Sequence, residues 1–74
     1  MDQKRFGRRI KAFRKLKGYT QVEFAKKLCV PLSVIGSIER GVKPISDDLL
    51  DIVVHTLDIP KEELMLYDQD NTGR

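Results

Sequence analysis

Seventy-four residues make one small domain, too short to bury a large core, and a single cysteine, Cys29, excludes an internal disulfide. With 41% hydrophobic and 34% charged residues the chain reads as globular and soluble, and no apolar run approaches the roughly 18 residues of a membrane-spanning helix. Its net charge of +3 is unevenly divided: residues 1–43 hold twelve Lys/Arg against three Asp/Glu, or +9, and residues 44–74 hold two against eight, or −6.

Apolar spacing of the 3.6-residue kind and helix stop signals predict five helices and no strand. The first spans residues 3–17, with Phe6, Ile10, Phe13 and Leu16 facing inward and Gly18 ending it. Lys4, Arg5, Arg8, Arg9, Lys11, Arg14, Lys15 and Lys17 crowd this segment. Eight like charges repel one another, so a polyanion partner is expected here; a solvated helix face is the alternative. The second helix spans residues 21–28. Thr20 caps it, since its hydroxyl can accept from the Glu23 N–H while the Glu23 carboxylate reaches back to the Thr20 N–H. Phe24, Ala25 and Leu28 form its narrow apolar stripe, and Ala25 is small enough to let another helix cross closely.

After Cys29, Val30 and Pro31, the third helix spans residues 32–40, with Ile35 and Ile38 on one face and Gly41 past its end. The fourth spans residues 47–57. Ser46 caps it, Asp47 and Asp48 suit its first turn, and Leu50, Val53, Val54 and Leu57 form its core face. Pro60 opens a short fifth helix through Leu66. Residues 1–67 are expected to be one domain and residues 68–74 a disordered tail.

Two short helices split by a short break, TQVEFAKKLCVPLSVIGSIERG, are the layout of a helix-turn-helix. The segment from about Phe6 to Leu66 resembles the Cro/C1-type (XRE-like) helix-turn-helix domain of phage repressors and bacterial regulators. Gly18-Tyr19-Thr20-Gln21, Phe24-Ala25, and Ile35 with Ile38-Glu39-Arg40-Gly41 carry the resemblance. It implies a compact all-α, five-helix, lambda-repressor-like domain that binds double-stranded DNA as a small regulator, usually as a homodimer on two half-sites.

On that resemblance, Pro31, Leu32, Ser33 and Ser37 face the major groove, with Gly36 beside them. Gln21, Arg40, Lys43, Arg8 and Lys15 hold phosphates, and Glu39 pairs with Arg14 as a structural ion pair. No Arg, Asn or Gln lies between Leu32 and Ile38, so two-bond reading of guanine or adenine is missing there. Ser33 and Ser37 offer single hydrogen bonds, and Leu32 or Val34 only contact with a thymine methyl. A second reading therefore stands: Val22, Leu32 and Val34 form an exposed apolar patch that binds a protein, as in an antitoxin-like or accessory subunit. Leu64, Met65, Leu66 and Tyr67 are the expected self-association surface.

Cys29 stands in the turn where the family most often has glycine. It is either a small apolar filler or a thiol whose oxidation would disturb the third helix. His55 lacks any Asp, Ser or Cys at motif spacing and is expected on the surface. Asp47, Asp48 and Asp51 suit capping and solvation, no nucleophile and base are paired, and no cofactor or metal set is visible, so the chain is not read as an enzyme. The charged start, MDQKRFGRRI, has no apolar segment after it, and a cytoplasmic location is expected.

Overall fold

The computed structural model of the chain describes residues 3–64. Four helices follow in order: α1 (Gln3–Leu16), α2 (Gln21–Leu28), α3 (Leu32–Glu39) and α4 (Asp47–Leu57). Residues 61–64 are also helical, where the fifth helix is expected to start; its continuation, the Met65-Leu66-Tyr67 segment and the expected tail lie outside the described residues. Among the described residues there is no strand, and no helix is long and apolar enough to cross a membrane.

Both polar caps form. The Thr20 hydroxyl accepts from the Glu23 N–H at 3.1 Å, and a Glu23 carboxylate oxygen accepts from the Thr20 N–H at 2.9 Å. The Ser46 hydroxyl accepts from the Leu49 N–H at 3.2 Å. Each satisfies donors that a helix start would otherwise leave open.

All four helices end in the same closure. One residue takes a left-handed conformation, and the N–H after it donates five residues back: Tyr19 to Arg14, Val30 to Ala25, Val42 to Ser37 and Ile59 to Val54. The left-handed residues are Gly18, Cys29, Gly41 and Asp58. Gly18 and Gly41 bear positive φ without steric cost, and aspartate tolerates it better than most side chains. Cys29, at φ 59° and ψ 42°, carries strain instead. It is also exposed, so it is not an apolar filler of the turn.

The left-handed conformation costs a side chain about 1–2 kcal/mol, while glycine loses about 0.5–1 kcal/mol more backbone entropy on folding. Cys29→Gly is therefore expected to stabilise the domain by about 0.5–1 kcal/mol, a rise of several degrees in Tm. A Tm that stays level or falls in thermal unfolding would show that the turn carries no such strain.

The core is built from every element. Phe6 and Ile10 of α1, Phe24, Ala25 and Leu28 of α2, Ile35 and Ile38 of α3, and Leu50, Val53 and Leu57 of α4 are buried together. Leu64 joins them at 2% exposure. It belongs to the core, because the last helical turn folds back onto the bundle, and it is not available for self-association. Leu16 corrects the sequence reading in the other direction. It is 75% exposed, since α1 stops there and turns away at Gly18 before another helix covers it.

Helices α1 and α3 cross closely at Gly7. A Cβ on Gly7 would lie 2.2 Å from the Ile38 carbonyl oxygen and 2.7 Å from that of Glu39. Near the other end of this crossing, a Cβ on Gly41 would lie 2.5 Å from the Lys4 Cα. The turn after α3 is thus pressed against the first turn of α1, which fixes the direction in which α3 leaves the core.

Candidate nucleic-acid interface

Burial divides α3 lengthwise. Ile35, Ile38 and Glu39 face the core, Pro31, Leu32, Ser33 and Arg40 are exposed, and Val34 and Ser37 are half-buried. Gly36, expected beside the outward positions, is buried. A Cβ there would stand 3.2 Å from the Arg40 Nη1, so the Arg40 guanidinium folds back along α3 to the level of Gly36. Helical side chains lean toward the N-terminus, which is why this cation lies one turn before its own Cα. Val34 packs against the core and drops out of the expected apolar patch. Val22, at 48%, and Leu32, at 46%, remain exposed.

Beneath this surface lies a buried ion pair. Arg14 Nε donates to Glu39 Oε2 at 2.6 Å and Arg14 Nη2 to Glu39 Oε1 at 3.2 Å, both in low exposure. Arg14 Nη1 donates to the Tyr19 carbonyl at 2.7 Å, tying the network to the loop before α2. Gln21 Nε2 donates to Glu39 Oε1 at 3.0 Å. The first residue of α2 is therefore held by the last residue of α3. One side-chain N–H of Gln21 is committed to the protein, and an amide nitrogen carries a second donor.

The basic surface of α1 is smaller than the sequence suggests. Arg14 is consumed by the ion pair. Arg9 lies over the Phe13 ring, 5.1 Å from its centroid, and its Nη2 donates to the Glu63 carbonyl at 3.5 Å. Lys4, Arg8, Lys11 and Lys15 are exposed, and their spacing puts them on one stripe of the helix. Lys43 lies beyond the Gly41 turn, in a cleft shared with Gln3 and Phe6 of α1 and with Asp47 and Lys61.

The fold thus brings together Gln21, Arg14 and Glu39, and sets Arg40 along α3. Arg8 and Lys15 stand apart on the α1 stripe. Pro31 caps α3 without a side-chain bond. His55 is exposed, and among the described residues no group of three His, Cys, Asp or Glu is placed to hold a metal.

Residues 10–64, three quarters of the sequence, match the helix-turn-helix family. The chain belongs to the Cro/C1-type helix-turn-helix family of transcriptional regulators. It is 47% identical over 64 residues to an uncharacterized HTH-type transcriptional regulator, YazB, of Bacillus subtilis (strain 168), covering 86% of this chain and 93% of that protein. It is 40% identical to the HTH-type transcriptional regulator SinR of Bacillus licheniformis, where the match covers 77% of this chain but only 59% of SinR.

Among solved structures, the restriction-modification controller protein C.AhdI from Aeromonas hydrophila superposes with a TM-score of 0.81 at 32% identity, over 85% of this chain and 96% of that one. The crystal structure of SinR, the master regulator for biofilm formation, in complex with DNA gives 0.76 at 39% identity, over 81% and 97%. These neighbours place the domain in the lambda-repressor-like fold.

Two structural residues escaped the sequence reading. Gly7 is one: a glycine inside a helix costs about 1 kcal/mol against alanine, so its place between Phe6 and Ile10 was the available signal of a close crossing. Arg9 is the other. Its place four residues before Phe13, which makes the two neighbours on one helix face, was the available signal.

Proposed function

We propose that this protein is a cytoplasmic transcriptional regulator that binds double-stranded DNA with α3 in the major groove. The observation that carries this reading is the split of α3. Its outer face, Pro31, Leu32 and Ser33, is left open, while Gln21 is tied to the last residue of α3, Arg40 lies back along the helix to Gly36 and Lys43 follows the turn. In a helix-turn-helix the second helix of the motif presents its N-terminal residues to base edges and the first lies across the backbone. The fold likeness to a DNA-bound regulator supports the same docking.

In this reading the second donor of the Gln21 amide and the start of α2 meet a phosphate, where the helix dipole favours an anion. Arg40, Lys43, Arg8 and Lys15 add phosphate contacts, and Ser33 and Ser37 make single bonds. Two copies bind two half-sites about 34 Å apart, one turn of the duplex. The exposed Ile52 on α4 is the large apolar side chain that this reading assigns to contact between copies. Sedimentation showing a monomer at all concentrations, with and without DNA, would remove the dimer.

The test is fluorescence anisotropy of the full chain against a pool of random duplexes at low and physiological salt, with sequencing of what is retained. Affinity is expected to fall linearly on a log–log plot against salt, because bound cations displace counterions from the phosphates. Arg40→Ala and Lys43→Ala are each expected to flatten that slope by about 1, while weakening binding to all sequences alike. A second reading rests on exposed Val22 and Leu32: an apolar protein partner on the same face. Absence of duplex binding, or binding indifferent to salt, would favour it.

A further inference from the structure

We infer that Leu32 reads the 5-methyl group of a thymine, so that apolar contact takes much of the place of hydrogen-bonded base recognition in this regulator. The inference rests on the DNA-binding reading above and names the base that its groove-facing helix selects. Its starting point is a leucine 46% exposed on the first residue of α3. A leucine side chain has neither donor nor acceptor, and in the major groove only thymine shows a methyl group. The other groove-facing residues of α3 and its cap are Pro31, which adds no polar side-chain group, and Ser33 and the half-buried Ser37, which give one hydroxyl each. Val34, the other candidate for this contact, is packed against the core.

The surroundings fit this occupant. Gln21 is held by Glu39 at the last residue of α3, and Arg40 lies back along α3 to the level of Gly36, so a polar amide and a cation belong to the same helix surface region as the exposed leucine at its start. A duplex presents the complementary arrangement, with anionic strands on either side of a groove floor bearing methyl groups. Val22, also exposed, follows Gln21 in the first turn of α2 and is the second apolar side chain of the motif left in solvent.

The experiment uses the duplex most strongly enriched from the random pool. Each thymine is replaced in turn by deoxyuridine, which pairs identically and lacks only the methyl group. For the unmodified protein, at least one replacement is expected to weaken binding about four-fold, the effect of burying one methyl group. Leu32→Ala is expected to bind the thymine duplex about as weakly as the unmodified protein binds that deoxyuridine duplex, and to lose most of the difference between the two. The substitution is at a solvent-facing helix position and alanine is the best helix former, so the domain keeps its fold, which its Tm verifies.

A protein that binds every deoxyuridine duplex as tightly as the original overturns the inference, as does a Leu32→Ala variant that keeps the full four-fold ratio. Loss of the ratio in Val22→Ala alone also overturns it, by assigning the methyl contact to α2. Each of these leaves DNA binding intact. Failure to enrich any duplex is a different result: it overturns the DNA-binding reading, and this inference with it.

Discussion

Replacing Glu39 by alanine is expected to destabilise the domain by about 3–5 kcal/mol, because Arg14 would be left buried and charged without its partner. A chain of this length has about 4–11 kcal/mol of stability in total, so the loss removes a large share of it and lowers Tm by well over about 10 °C. The damage spreads beyond the pair. Gln21 Nε2 loses its acceptor, and Arg14, which also holds the Tyr19 carbonyl, loses the group that orients it.

Denaturant unfolding of Glu39→Ala, and of Glu39→Leu, Arg14→Met and the variant that combines those two, separates the causes. A buried pair replaced on both sides by apolar residues is often nearly neutral, so the double variant is expected to recover much of what the Glu39→Ala single loses. Two single losses that simply add would mean that the bidentate contact contributes nothing of its own. The same experiment bears on the interface. Any loss of DNA binding in Glu39→Ala must be read against its folded fraction, whereas the doubly replaced variant, if folded, reports the combined loss of the Gln21 anchor and of the Arg14 bond to the Tyr19 carbonyl.

Gly7→Ala is the second large effect. The added carbon would sit inside contact distance of two backbone carbonyls of α3, and neither can turn aside as a flexible side chain would. Helices α1 and α3 must then separate or shift. Alanine returns about 1 kcal/mol of helix propensity at this position, yet with the overpacking cost at the upper end of its range, about 3 kcal/mol, a net destabilisation of about 2 kcal/mol is expected. Because α1 also touches the turn after α3 through Lys4 and Gly41, the shift is expected to tilt α3. In the folded fraction, DNA affinity should fall further than for a surface variant of equal stability. A Tm equal to or above that of the unmodified protein would show that the crossing is looser than its geometry indicates.

Elements whose cause is local were legible in the sequence. The Thr20 and Glu23 capping box, the Ser46 cap, the glycines ending α1 and α3, and the bounds of α2 and α4 depend on residues within about one helical turn of each other. The apolar periodicity likewise identified most of the core, and the family motif placed the outward turn of α3. Relations between distant segments were decided by the tertiary structure. Leu16 and Leu64 carry similar sequence signals, yet one lies in solvent and the other in the core, because only the second is covered by the folded bundle.

The site follows the same division. From the sequence came the residue types on α3 and the missing long polar side chains among them. Only the packed structure showed that Val34 is spent on the core, that Arg40 lies back over Gly36, and that Gln21 is tethered to Glu39. Capping and periodicity are satisfied within a few neighbouring residues, so the sequence states them directly. The direction of a side chain and the company of a charge depend on which helix arrives beside them, and that is settled only when α1, α2 and α3 pack together.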